Sequence, residues 1–106
     1  MATSKPFEAV DFGYLEDFAA GDLSIVREVL VLFQGQAELW VRSLNAEASG
    51  WRDTVHTMKG AARGVGARAL GEVCARAEEA GENDLAAVRA SLDAALAEIA
   101  IYLARA

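Results

Sequence analysis

The chain has 106 residues, enough for one hydrophobic core and one domain. A formal net charge of −6 argues against a nucleic-acid binder, which is usually basic. One cysteine, Cys74, excludes an internal disulfide, and one histidine with one cysteine cannot build the usual nitrogen–sulfur metal site.

Alanine supplies about a fifth of the chain and proline appears once, at Pro6, a composition that favours helix. Residues 1–8 read as a loose lead-in to a single domain spanning 1–106. A short first helix is expected from Val10 to Ala20, with Phe12, Leu15, Phe18 and Ala19 on its apolar side and Gly21 as its stop. Asp22 then caps a long second helix running to Ala48. Ile25, Val29, Phe33, Trp40 and Leu44 make its main stripe, and Gly35 lies within it without ending it. Gln36 falls in the same stripe, as a solvated residue at the bundle edge or as part of a docking rim. The longest run of large apolar residues, Val29 to Phe33, is far too short to cross a bilayer. No apolar signal segment follows Met1 to Pro6. These features fit a cytoplasmic protein with no membrane partner.

Ser49 is the expected cap of the third helix, and Gly66 its end. At ~100° per residue, Trp51, Val55, Met58, Ala62 and Val65 fall within an arc of roughly 80°. His56 points about 140° away from the middle of that arc, and Arg52, Lys59 and Arg63 lie within about 60° of it. The helix therefore offers solvent an imidazole ringed by cations. Gly60, one turn on, leaves the approach to the ring open, at a cost to the helix of about 1 kcal/mol relative to alanine. A nucleophile, cations that suit an anion, and open access together point to a histidine that receives a phosphoryl group. The fourth helix is expected from Ala67 to Ala80, with Leu70, Val73, Cys74, Ala77 and Ala80 inward and Gly81 as its stop. Cys74 reads as a small core residue. Asn83 is the expected cap of the last helix, which runs to Leu103 and carries Leu85, Val88, Leu92, Ala95, Leu96, Ile99 and Leu103 on its core side. The fold class is all-α, an up-down-up-down four-helix bundle with a short additional N-terminal helix.

His56-Thr57-Met58-Lys59-Gly60-Ala61-Ala62, followed by Val65-Gly66-Ala67, resembles the signature of histidine-containing phosphotransfer (HPt) domains. That signature is His-x-(Leu/Phe/Met)-Lys-Gly-(Ser/Ala)-(Ser/Ala), then an apolar residue, Gly and a small residue. Gly64 departs from it, since the family often has a polar residue there. The resemblance extends over most of the chain, including Leu70-x-x-x-Cys74-x-x-x-Glu78, and implies the same bundle. It implies that His56 takes a phosphoryl group from an aspartyl phosphate and passes it to another aspartate. The implied partners are the receiver domains of a hybrid histidine kinase and of a response regulator, with Mg²⁺ on the receiver and no cofactor bound by this chain. Lys59, one turn from His56, is the implied cation for the phosphoryl oxygens, against the alternative of a solvated lysine. Arg63 and Arg52 stand as secondary cations. The family often places Gln or Glu on the next helix to orient the imidazole, and the matching position is Glu78. The alternative for Glu78 is a surface pairing with Arg52 or Arg63.

The second helix is apolar over more of its circumference than one core requires, at Leu30, Val31, Leu32, Leu39 and Val41, with Tyr14, Leu15 and Phe18 on the first helix. Phe18, Leu32, Gln36 and Gly60 are the expected receiver-binding rim. The leading expectation is a phosphocarrier, monomeric and without ATP-dependent kinase activity of its own. The competing expectation is a helical adaptor whose histidine is never phosphorylated. A full histidine kinase is disfavoured because no room remains for an ATP-binding domain.

Overall fold

The computed structural model describes residues 7–105, all of them helix, turn or connecting loop. Five helices follow in order: α1 (Phe12–Phe18), α2 (Leu23–Val41), α3 (Trp51–Val65), α4 (Arg68–Ala80) and α5 (Leu85–Arg105), with a 3₁₀ turn at Glu82–Asp84 before α5. The long helices close into a ring: α2 packs on α3, α3 on α4, α4 on α5 and α5 on α2, the most extensive contact being α3 against α4. This is the expected four-helix bundle, and α1 lies across α3 and α2. No helix among the described residues is long and apolar enough to cross a membrane.

The caps explain where several helices begin. The Asp22 carboxylate accepts the N–H groups of Ser24 and Ile25 and the Ser24 hydroxyl, and the Ser24 bond foremost holds that carboxyl below its ordinary range. Asp11 caps α1 at the Tyr14 N–H, so α1 starts two residues later than expected. Ser49 does not cap α3. The N-cap is Gly50, with no side-chain bond. Asn83 lies inside the 3₁₀ turn and is not a helix cap.

Three expectations about α2 are corrected. Its core face is Val26, Leu30, Phe33, Ala37 and Trp40, while Ile25 is 45% exposed and Val29 is half-buried. Leu30, assigned to the surplus outer surface, is fully buried, as is Leu15 of α1. The reason is that Ile25/Val29 and Val26/Leu30 are both apolar i,i+4 pairs. Periodicity does not choose between them, and packing against α3 and α5 does. Finally, α2 ends at Val41 rather than Ala48. Ser43 and Leu44 tighten to i→i−3 bonds on Trp40 and Val41, and the Arg89 side chain takes the Leu44 carbonyl. Leu44 is still buried, as a plug beneath the turn.

The start of the described chain is held rather than loose at residues 7 and 8. The Glu98 carboxylate on α5 accepts the N–H groups of Glu8, Ala9 and Val10 at 2.9–3.0 Å. Phe7 meets Phe12 edge-on, with ring centroids 4.8 Å apart. Residues 1–6 of the expected lead-in lie outside the described residues. On α4, Leu70, Cys74 and Ala77 are buried as expected, joined by Gly71, whereas Val73 is half-buried and Ala80 exposed. Burial pushes the Cys74 thiol up to about 11, which leaves it an inert core residue at neutral pH.

Candidate functional site

α3 turns its predicted face inward: Trp51, Val55, Met58, Ala62 and Val65 are all buried. His56 is thereby forced outward, its side chain 69% exposed. The opposing helix α4 carries Glu78 to meet it, with Nδ1 of His56 2.8 Å from Oε2 of Glu78. The other carboxylate oxygen, Oε1, is shielded from solvent and stands 2.5 Å from Nζ of Lys59. His56 and Lys59, one turn apart on α3, thus converge on one carboxylate from α4.

An ionised carboxylate only accepts hydrogen bonds. The ring nitrogen facing it therefore carries the proton, and in the neutral ring the lone pair is left on Nε2. The Lys59 ammonium foremost, and then His56, hold the Glu78 carboxyl below the usual glutamate range. A depressed carboxyl pKa means that the network is intact above the ordinary glutamate value and is lost as pH falls through the lowered one. A titration followed by the Glu78 carboxyl carbon shift should give a midpoint below that of an ordinary glutamate. A midpoint at or above the ordinary value would show that the network does not persist in solution.

A Cβ at Gly60 would meet nothing within 4 Å, so the surface beside His56 is open. Neither of the two principal surface grooves is lined by His56, Lys59 or Glu78. The larger, about 750 Å³, lies between residues 7–13 and the start of α4. With its side chain 69% exposed, the imidazole sits on an open surface. Gly66 ends α3 in the left-handed conformation, φ +85°, with its carbonyl accepting the Asp11 N–H at 3.0 Å. Sequence comparison matches residues 15–105 to the Hpt domain family. The chain belongs to that family.

Among solved structures, the histidine phosphotransferase ShpA from Caulobacter crescentus is similar to this Hpt domain. The two are 59% identical, with a TM-score of 0.87 over 92% of this chain and 93% of the other. No curated protein matches the chain.

Within the Hpt domain the expected site residues separate into groups. His56, Lys59 and Glu78 come together directly, and Gly60 adjoins them in sequence. Arg63 does not join the network. Its stem lies along α4, where a Cβ at Gly71 would stand 3.2 Å from Arg63 Cγ. Lys59 is not a free cation but is ion-paired, its side chain 21% exposed. Of the expected rim, Gln36 and Gly60 are exposed, Leu32 is 65% exposed and Phe18 80%. Phe18 accordingly leaves the core face of α1, which consists of Phe12 and Leu15. Ile25, Leu32 and Leu39 recur at seven-residue spacing and line one exposed edge of α2.

Arg52 takes a role that the sequence did not suggest. Its Nη1 donates to the backbone carbonyl of Glu78 at 2.5 Å, so its partner is main chain and not the Glu78 carboxylate. No pattern of residue types signals such a bond, because every residue carries a carbonyl.

Proposed function

We propose that this Hpt domain is a phosphocarrier of a two-component phosphorelay, with His56 as the phosphoaccepting residue. The observation that carries the reading is an imidazole held at Nδ1 by Glu78, its side chain 69% exposed and one turn from Gly60, where a Cβ would meet nothing within 4 Å. In the forward step the Nε2 lone pair attacks the phosphorus of an aspartyl phosphate. A P–N bond forms as the P–O bond to the aspartate breaks, and the aspartate leaves as a carboxylate. No proton has to be removed from the attacking atom. The ring keeps its Nδ1 proton and becomes cationic, and the Glu78 carboxylate balances that charge. The reverse sequence hands the group to a second aspartate.

Lys59 is the cation for the transferred group. An ammonium has three donors, so the ion pair with Glu78 leaves donors for phosphoryl oxygens. The remaining machinery belongs to the partner: the aspartate, and the Mg²⁺ expected on the receiver. The partners are the receiver domains of a hybrid histidine kinase and of a response regulator, met by a monomer in the cytoplasm. Phe18, Leu32, Gln36 and Gly60 are the proposed docking rim.

The deciding experiment is incubation with a panel of phosphorylated receiver domains. An acid-labile, alkali-stable label on the chain supports the reading. Binding without label from any receiver would favour the adaptor. Gly60→Gln tests the access argument. Its side chain projects into open space, so the helix should fold and gain stability from the loss of glycine by up to about 1 kcal/mol. Transfer should nevertheless slow, and unimpaired transfer would remove Gly60 from the rim.

A further inference from the structure

We propose that Arg52 is a positioning residue for His56, acting through Glu78. Its guanidinium holds the last turn of α4 wound, and that turn is what carries the Glu78 carboxylate to the imidazole. The consequence for transfer rests on the phosphocarrier reading, whereas the positioning itself does not.

The last turn of α4 is weakly built on its own. α4 ends at Ala80, so the carbonyls of its final residues lack partners within the helix. The Gly81 N–H satisfies Ala77 at 2.9 Å. No basic residue stands in that turn, and it contains two acids, Glu78 and Glu79, at the negative end of the helix dipole. The chain then leaves abruptly through Gly81, at φ +104° and ψ −165°, a conformation almost confined to glycine. A helix end of this kind frays readily.

Arg52 reaches across from the first turn of α3 and supplies what is missing. Nη1 donates to the Glu78 carbonyl, and the guanidinium brings positive charge to the dipole's negative end. The group is itself held in place. Its Cζ lies 4.7 Å from the ring centroid of Trp51, which is buried, and its Nη2 stands 4.0 Å from where a Cβ at Gly81 would be. Arg52 precedes His56 by one turn on α3, so one α3 side chain grips the main chain of Glu78 while the next meets its carboxylate. If the turn unwinds, Glu78 leaves Nδ1 and the imidazole exchanges between tautomers, which lowers the fraction with a free Nε2.

Two measurements test this without any phosphoryl transfer. They are hydrogen exchange at the Gly81 amide and the His56 tautomer read from its ring ¹⁵N shifts. Arg52→Ala should speed exchange at Gly81 about tenfold and reduce the Nδ1–H fraction. Arg52→Met, which keeps the stem on Trp51 but removes the donors and the charge, should behave the same way and carries the test if Arg52→Ala fails to fold. Arg52→Lys should recover part of both signals. In transfer assays, the loss caused by Arg52→Met should vanish in a Glu78→Ala background. Wild-type exchange and tautomer in a folded Arg52→Met protein would overturn the proposal, even if transfer fell, because the arginine would then act on the phosphoryl group or the partner directly.

Discussion

Replacing His56 with glutamine should abolish phosphoryl acceptance from every receiver while leaving the fold intact. The imidazole is largely exposed and lies opposite the buried face of α3, so it contributes little packing. A surface change of this kind usually stays within about 0.5 kcal/mol. For a domain of this size that corresponds to a Tm change of roughly 2–4 °C. Glutamine keeps a polar group that Glu78 can accept from, so Lys59 and Glu78 retain their pairing, but an amide has no nucleophilic ring nitrogen. The measurement is the label on wild type and variant side by side, with circular dichroism and thermal melts on both. Loss of label with an unchanged melt supports the assignment of His56. Retained label would place the acceptor elsewhere, and collapse of the helical signal would mean that the histidine supports the core.

Replacing Gly66 with alanine should produce the opposite pattern, a large loss of stability with the chemistry intact in whatever remains folded. Gly66 belongs to the same motif as His56, yet its demand is conformational. At φ +85° an alanine is strained by about 1–2 kcal/mol, and its Cβ would stand 2.7 Å from the Asp11 carbonyl oxygen and 3.4 Å from Tyr14 Cδ2. The obstacle is main chain, tied to Gly66 by the Asp11 N–H bond, so it cannot swing aside. The combined cost is about 2–4 kcal/mol, which lowers Tm by roughly 10 °C or more. Gly64→Ala is the control. A Cβ there meets nothing within 4 Å, so it should be neutral or stabilising by up to about 1 kcal/mol. Equal melts for the two variants would show that the close approach of α1 to the end of α3 does not hold in solution. The two glycines differ in sequence position by two residues and in predicted effect by the presence of α1.

α3 was legible residue by residue. It is apolar on one side only, so a single rotation buries its five apolar residues and the outward direction of His56 follows. α2 was legible as a helix but not in its rotation, because Ile25, Val29, Leu32 and Leu39 compete with Val26, Leu30 and Phe33 for the core. Its end was hidden for a related reason. Residues 42–48 contain neither glycine nor proline, and the chain turns there with Asn45 donating to the Arg42 carbonyl and accepting the Glu47 N–H, while the Arg89 side chain from another helix takes the Leu44 carbonyl. The hold on residues 8–10 was equally invisible, since Glu98 takes main-chain N–H groups that almost any sequence would offer.

What the sequence determined by itself was the set of helices, the inward face of α3, most of that of α5 (Leu85, Val88, Leu92, Ala95 and Ile99 are buried, Leu96 and Leu103 half-buried), and the imidazole set outward with Lys59 and Gly60 beside it. These depend on spacing within one helix, where the 3.6-residue period makes neighbours of residues three and four apart. The tertiary structure alone decided which α2 face is buried, that Lys59 is paired while Arg63 lies over Gly71, and that Arg52 grips the Glu78 carbonyl. It also set the distance at which Glu78, matched only by its place in a pattern, meets the imidazole. Those contacts join residues 22 and 26 apart on different helices. Their existence depends on how two helices are rotated and offset against each other, which is settled by packing the whole core at once and leaves no periodic trace in either segment.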